Sequence, residues 1–250
     1  MTTRTTLSYD IPQVWGPVAT LLWGVLIAFV FVVTQLSVMG IYIGIVYGDI
    51  GADGVEQLLY EVQNNGVVIS LATISTLIIC GLMTAGIAAL KKGSRPGQYL
   101  GLRQVDGKTV GNWSAMLIAL VLLSDVLTTL LGKPVVPVFV THLYHTTKPV
   151  WLLWIAFIIS APLFEELFFR GFLFAGFSGS LLGPAGAIVV TSALWSMIHL
   201  QYDLYGILTV FVLGLFLGYA RHSSGSTLLT MGLHSFANFI ATLEAAYISG

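Results

Sequence analysis

The fold class this sequence predicts is an all-α, polytopic bundle of membrane-spanning helices. Of its 250 residues, 56% are hydrophobic and 8% are charged, whereas soluble domains carry about 25% charged residues. Its mean hydropathy is +0.91. The apolar residues fall in runs long enough to cross a bilayer, separated by short polar, glycine or proline breaks. Ten Lys+Arg against eleven Asp+Glu give a net charge of −1, which offers no basic footprint for nucleic acid. The single cysteine, Cys80, lies in an apolar run. It reads as a small buried hydrophobe, with no disulfide or cysteine-rich metal site available.

Taken in order, residues 1–13 form a polar tail holding Arg4 and Asp10. The apolar run 14–47 is too long for a cleaved signal peptide and reads as an anchor. It forms one tilted span, or a span with extra turns outside the membrane. Its Gly40 and Gly44 have the small-xxx-small spacing that lets helices approach closely. An acidic loop, 48–65, carries Asp49, Asp53, Glu56 and Glu61 and no basic residue. The second helix covers about 66–90. The following loop, 91–108, contains Lys91, Lys92, Arg95, Arg103 and Lys108, five of the ten positive charges, and is expected on the cytoplasmic side.

A third helix, about 112–131, contains Asp125, a buried acid read as a hydrogen-bonding partner. Gly132, Pro134 and Pro137 then break the chain into a loop with His142 and His145. Those histidines have metal-compatible spacing but no third ligand nearby, and read as ordinary polar residues. Four more helices are expected at about 150–177, 184–200, 204–220 and 226–248. The sixth carries the small-residue pair Gly214 and Gly218. Seven spans follow, or eight if the first run splits. The N-terminus is then cytoplasmic, in an integral protein expected in a bacterial inner membrane. Two parts are expected: N-terminal helices over 1–148 and a catalytic core over 149–250.

The fourth helix holds the costliest residues, Glu165, Glu166 and Arg170. Ionisable side chains in such a run face a bundle interior or a watery cavity and mark functional sites. Glu166 precedes Arg170 by four residues, the favoured order for a helical ion pair. Glu165 lies about 100° away around the helix and is left free for chemistry. Two histidines, His199 and His234, fall inside predicted spans, with Trp195 one turn before the first and Asn238 one turn after the second. Counted at 1.5 Å per residue from the cytoplasmic ends, Glu165, His199 and His234 lie about 18, 22 and 12 Å deep. A shared cavity is compatible with those depths.

The ordered set Glu165-Glu166-xxx-Arg170, Trp195-xxx-His199 and His234-xxx-Asn238 resembles the CAAX protease and bacteriocin-processing (CPBP or ABI) family of intramembrane endopeptidases. That family includes type II CAAX prenyl protease, also called Ras-converting enzyme. The resemblance covers about residues 149–245, and Trp195 departs from the phenylalanine usual there. It implies peptide-bond hydrolysis of a membrane-associated, prenylated CAAX-type or bacteriocin-like peptide. Glu165 and His199 then activate water, His234 and Asn238 stabilise the oxyanion, and Glu166 and Arg170 brace the helix. A zinc-dependent version uses Glu165, His199 and His234 as ligands. The lack of a His-Glu-xx-His motif and the poor zinc affinity of asparagine favour the metal-free form.

Other classes fit less of the pattern. Gly176-Phe-Ser178-Gly179 matches the Gly-x-Ser-Gly of rhomboid serine peptidases, but leaves Glu165 and His199 without a role. A proton-coupled transporter would use intramembrane Glu and His, yet no inverted repeat is visible. A non-catalytic immunity or scaffold protein has no need of a complete polar set.

Overall fold

The computed structural model describes residues 13–48 and 55–249, all of whose regular structure is helical. Arg4, Asp10, Asp49 and Asp53 lie outside the described residues. Helix α1, Pro17–Val46, opens with a proline in its first turn, where the missing N–H has no partner to lose. Helix α2, Val55–Gln63, occupies part of the segment expected as an acidic loop. Helix α3, Gly66–Leu90, is capped by Asn65, whose side chain accepts from the Val67 and Val68 N–H groups at 2.9 and 3.3 Å. The basic loop contains the single turn α4, Pro96–Tyr99. Helix α5, Gly107–Leu130, is capped by Asp106 through the Thr109 N–H at 2.9 Å.

Helix α6, Val138–Thr146, places His142 and His145 on a helix where a loop is expected. The prolines stop short of it: Pro137 sits at its N-cap, where no intrahelical bond is lost. Helix α7, Trp151–Ser178, is the long central element. Helix α8, Gly183–Met197, stops two residues before His199, which therefore sits in the turn beyond the helix rather than inside a span. Helix α9, Leu204–Ser224, is capped by Asp203 on the Gly206 N–H (2.9 Å) and ended by Gly225 at φ +68. Helix α10 is Thr227–Ser249.

Five of these, α1, α3, α5, α7 and α9, are long and apolar enough to cross a membrane. The chain is therefore an integral membrane protein by length and composition, although seven spans are not reached on those criteria. The two elements that fall short are informative. Helix α8 has 15 residues, and the 23 residues of α10 include His234, Asn238 and Glu244. Helix α8 falls short on length and α10 on hydropathy, and both carry site residues.

Helix α7 packs against α3, α8 and α10 and organises the interior. Ile27, Cys80, Leu117, Phe172, Trp195 and Leu217 form part of one buried core reaching from α1 to α9. Gly176 is where α7 meets α1: a Cβ there would lie 1.9 Å from Thr20 Oγ1. The two small-residue pairs differ in outcome. Gly214 and Gly218 pack against Ser192 and Ile188 of α8, whereas a Cβ on Gly40 or Gly44 would meet nothing within 4 Å. At that end of α1, Met39, Tyr42 and Ile43 carry the packing against α2 and α3.

Candidate active site

Two stretches of α7 widen into π-helical turns, Ile155–Ser160 and Leu167–Leu173. Between them lies the α-helical turn Ala161–Glu166, which carries both glutamates. Wide turns of this kind recur at functional sites because they re-aim side chains and release backbone groups. One released group is used at once: the Phe157 carbonyl accepts from Asn238 Nδ2 at 2.8 Å.

The glutamates separate as their spacing predicts. Glu166 and Arg170 are both fully buried, and Arg170 Nη1 donates to Glu166 Oε1 at 3.0 Å. Arg170 Nη2 donates to the Gly214 carbonyl at 3.2 Å. Its guanidinium carbon lies 4.5 Å from the Trp195 ring centre, a cation–π contact. Glu165 keeps 15% of its side chain exposed and faces a cavity. Its Oε2 accepts from the Trp195 indole N–H.

Both imidazoles are held by one nitrogen. His234, 3% exposed, donates from Nδ1 to Glu166 Oε1 at 3.1 Å, while its Nε2 faces Glu165 Oε2 at 4.0 Å. His199 donates from Nδ1 to the Trp195 carbonyl at 2.9 Å. Oxygen acceptors at both Nδ1 atoms fix the tautomer: in a neutral ring the lone pair sits on Nε2. Trp195 stands between the rings, its centroid 5.4 Å from His199 and 5.1 Å from His234, edge-on to each. Tyr202 stacks on the other side of His199 at 5.9 Å, and burial pushes its phenol up, so it stays neutral at ordinary pH.

Glu165, Trp195, His199, His234 and Asn238 all line one cavity of about 450 Å³. The five are thus brought together, while Glu166 and Arg170 sit behind them in the protein interior. Asp125 is half-buried on α5 and outside the cavity lining, as are His142 and His145. Helices α1 and α3 also reach the cavity, through Gln35 and Thr76, which are hydrogen-bonded to each other at 2.9 Å. Sequence reading passed over them, although Gln35 is a lone amide in an apolar run and its cost was the available signal.

Among the described residues, no three His, Cys, Asp or Glu side chains come close enough to hold one ion, so as arranged they offer no three-donor zinc site. His234 Nε2 and Glu165 Oε2 stand 4.0 Å apart, and that oxygen accepts from the Trp195 indole N–H.

Comparison with protein families agrees with the ordered motifs. Residues 146–240 match the Rce1-like family, type II CAAX prenyl endopeptidases. The Rce1-like segment takes in every residue from Glu165 to Asn238 described above and leaves out α1 to α5. The match implies a protease. Neither the curated proteins nor the solved structures give a match.

Proposed function

We propose that this protein is an intramembrane endopeptidase that cleaves membrane-associated peptides with water activated by Glu165 and His199. The observation that carries the reading is the single cavity lined by Glu165, His199, His234 and Asn238. Glu165 is the carboxylate that Arg170 does not bind, and the His199 Nε2 lone pair is free to take a water proton. The hydroxide adds to the scissile carbonyl carbon. As the C–N bond breaks, the proton taken from water passes to the leaving amine.

The developing oxyanion is met by His234 and Asn238. Because His234 Nδ1–H is committed to Glu166, the ring donates through Nε2 only when doubly protonated. Asn238 spends one amide hydrogen on the Phe157 carbonyl and keeps a second for the oxyanion. A donor of this kind is worth roughly 3–4 kcal/mol in the transition state. No step passes through a metal.

Phe31, Phe139, Phe157 and Phe164 give the cavity apolar walls, suited to a peptide flanked by a lipid-like or apolar segment. Prenylated CAAX-type and bacteriocin-like peptides both answer that description. The bilayer is the second partner. We place the chain N-inside in a bacterial inner membrane; the positive charge gathered in loop 91–108 supports a cytoplasmic side for that loop.

The test compares membrane peptides in cells expressing the wild type or Glu165→Gln. An uncleaved precursor accumulating only in the variant supports the reading and names the substrate. A transporter or a non-catalytic immunity or scaffold protein leaves the two peptide profiles the same.

A further inference from the structure

A second polar cluster lies at the end of α9 near the basic loop, away from the cavity. Arg221 is 9% exposed, and its Nε donates to the Arg170 carbonyl at 3.1 Å. Its guanidinium carbon lies 5.3 Å over the Phe174 ring. The guanidinium rests against Gly101, whose φ is +65 and where a Cβ would come within 2.3 Å of Nη2. Across the cluster Arg103 lies over Gly225, another left-handed glycine, with Nη1 3.2 Å from where a Cβ would stand.

The two turns that carry these cations are tied together. The Thr227 N–H donates to the Gly101 carbonyl at 2.8 Å, and the Thr227 hydroxyl donates to the Leu100 carbonyl at 2.6 Å. The Ser226 hydroxyl donates to the Arg103 carbonyl. The pair is therefore built into the fold, at two glycines where any side chain would collide with a guanidinium or crowd it.

Among the described residues, no carboxylate oxygen lies within 4.0 Å of either guanidinium. Among the same residues, the Arg221 Nε alone of its donors has a partner, and neither Nη is sealed in the interior. A nine-tenths-buried guanidinium with a second in the turn tied to its own is costly unless an anion joins them. Guanidinium forks match phosphate oxygens in a bidentate fashion, and basic pockets at the ends of membrane helices bind anionic headgroups.

We propose that Arg103 and Arg221 form a phosphate-binding site at the membrane surface, filled by the phosphate of an anionic lipid headgroup or by a soluble phosphate ion. The full chain, purified in detergent, is titrated with phosphatidylglycerol, phosphatidylcholine or inorganic phosphate. Retained adducts are read by native mass spectrometry and the unfolding temperature by a thermal scan. Phosphatidylglycerol or phosphate binds and raises the unfolding temperature, and phosphatidylcholine does so less. Arg103→Gln, at an exposed position, weakens that binding roughly tenfold, the loss of one charge-assisted bond. Lys92→Gln, equally basic but elsewhere in the loop, leaves it within about twofold. An effect of the lipid alone assigns the site to headgroups, and an effect of phosphate assigns it to the soluble ion as well. Equal loss in Arg103→Gln and Lys92→Gln, or no preference for an anionic ligand, overturns the proposal.

Discussion

Trp195 holds the site together at the scale of single residues, since its indole N–H reaches Glu165, its carbonyl reaches His199 and its ring faces Arg170. Trp195→Phe keeps an aromatic ring and removes only the donor to Glu165. The bond orients the carboxylate in the cavity, so its loss lowers kcat about tenfold, the worth of one hydrogen bond, while cleavage persists. An unchanged kcat means the bond takes no part in the chemistry. His199→Ala is expected to lower kcat at least about 10²-fold, and Asn238→Ala about 10²–10³-fold, in a reconstituted cleavage assay. Arg170 acts differently. Its removal leaves the fully buried Glu166 without its cation, so Arg170→Met should cost about 3–5 kcal/mol in reversible unfolding. The Glu166–Arg170 pair was legible because four-residue spacing is a local property of a helix. The indole bond to Glu165 was not, because it spans thirty residues and depends on how α7 and α8 cross.

At the scale of elements, helix ends and close crossings place those side chains. Two caps lie outside the spans and titrate. The Asp203 carboxyl is held below its usual range, chiefly by hydrogen bonds from the Lys133 ammonium and the Gly206 N–H. A folded-state pKa below the unfolded value of about 3.9 means a contribution present above that value and lost as pH falls through the lower one. Amide protection in the first turn of α9, taken relative to the intrinsic exchange rate at each pH, should therefore fall on acidification, and Asp203→Asn should remove that dependence. The crossing at Gly176 has its own test. A valine there meets Thr20 at contact distances no packing allows, so Gly176→Val should destabilise by about 1–3 kcal/mol or shift α1 away from α7. Asp203 went unread as a cap, although a carboxylate just before an apolar run is the usual signature of one. The π-helical turns of α7 went unread, although Pro162, which has no N–H to give to the turn before it, follows the first of them and was a local sign. His199 was placed inside a span because apolar residues continue to Leu200, while the helix itself stops at Met197.

For the whole molecule, composition alone separates membrane from water, but it does not count the spans. Helix α8 is apolar but only 15 residues long, and in α10 the polar His234, Asn238 and Glu244 lower the hydropathy by which a span is recognised. Loop 91–108 gathers five of the ten positive charges. A cysteine placed there should react with an impermeant thiol reagent only after the cytoplasmic side is opened, and labelling from outside would invert the topology. The interior has a division of labour: Arg170 and Glu166 form a buried ion pair behind the cavity, and His234 joins that pair to the cavity that Glu165 and His199 line. The most direct test is peptide cleavage by purified, reconstituted protein stripped of metal with a chelator, comparing wild type, Glu165→Gln and Ser178→Ala. Wild type and Ser178→Ala should cleave at similar rates without metal, with Glu165→Gln slower by at least about 10²-fold. Undiminished cleavage by Glu165→Gln, or activity that vanishes on chelation and returns with zinc, would contradict it.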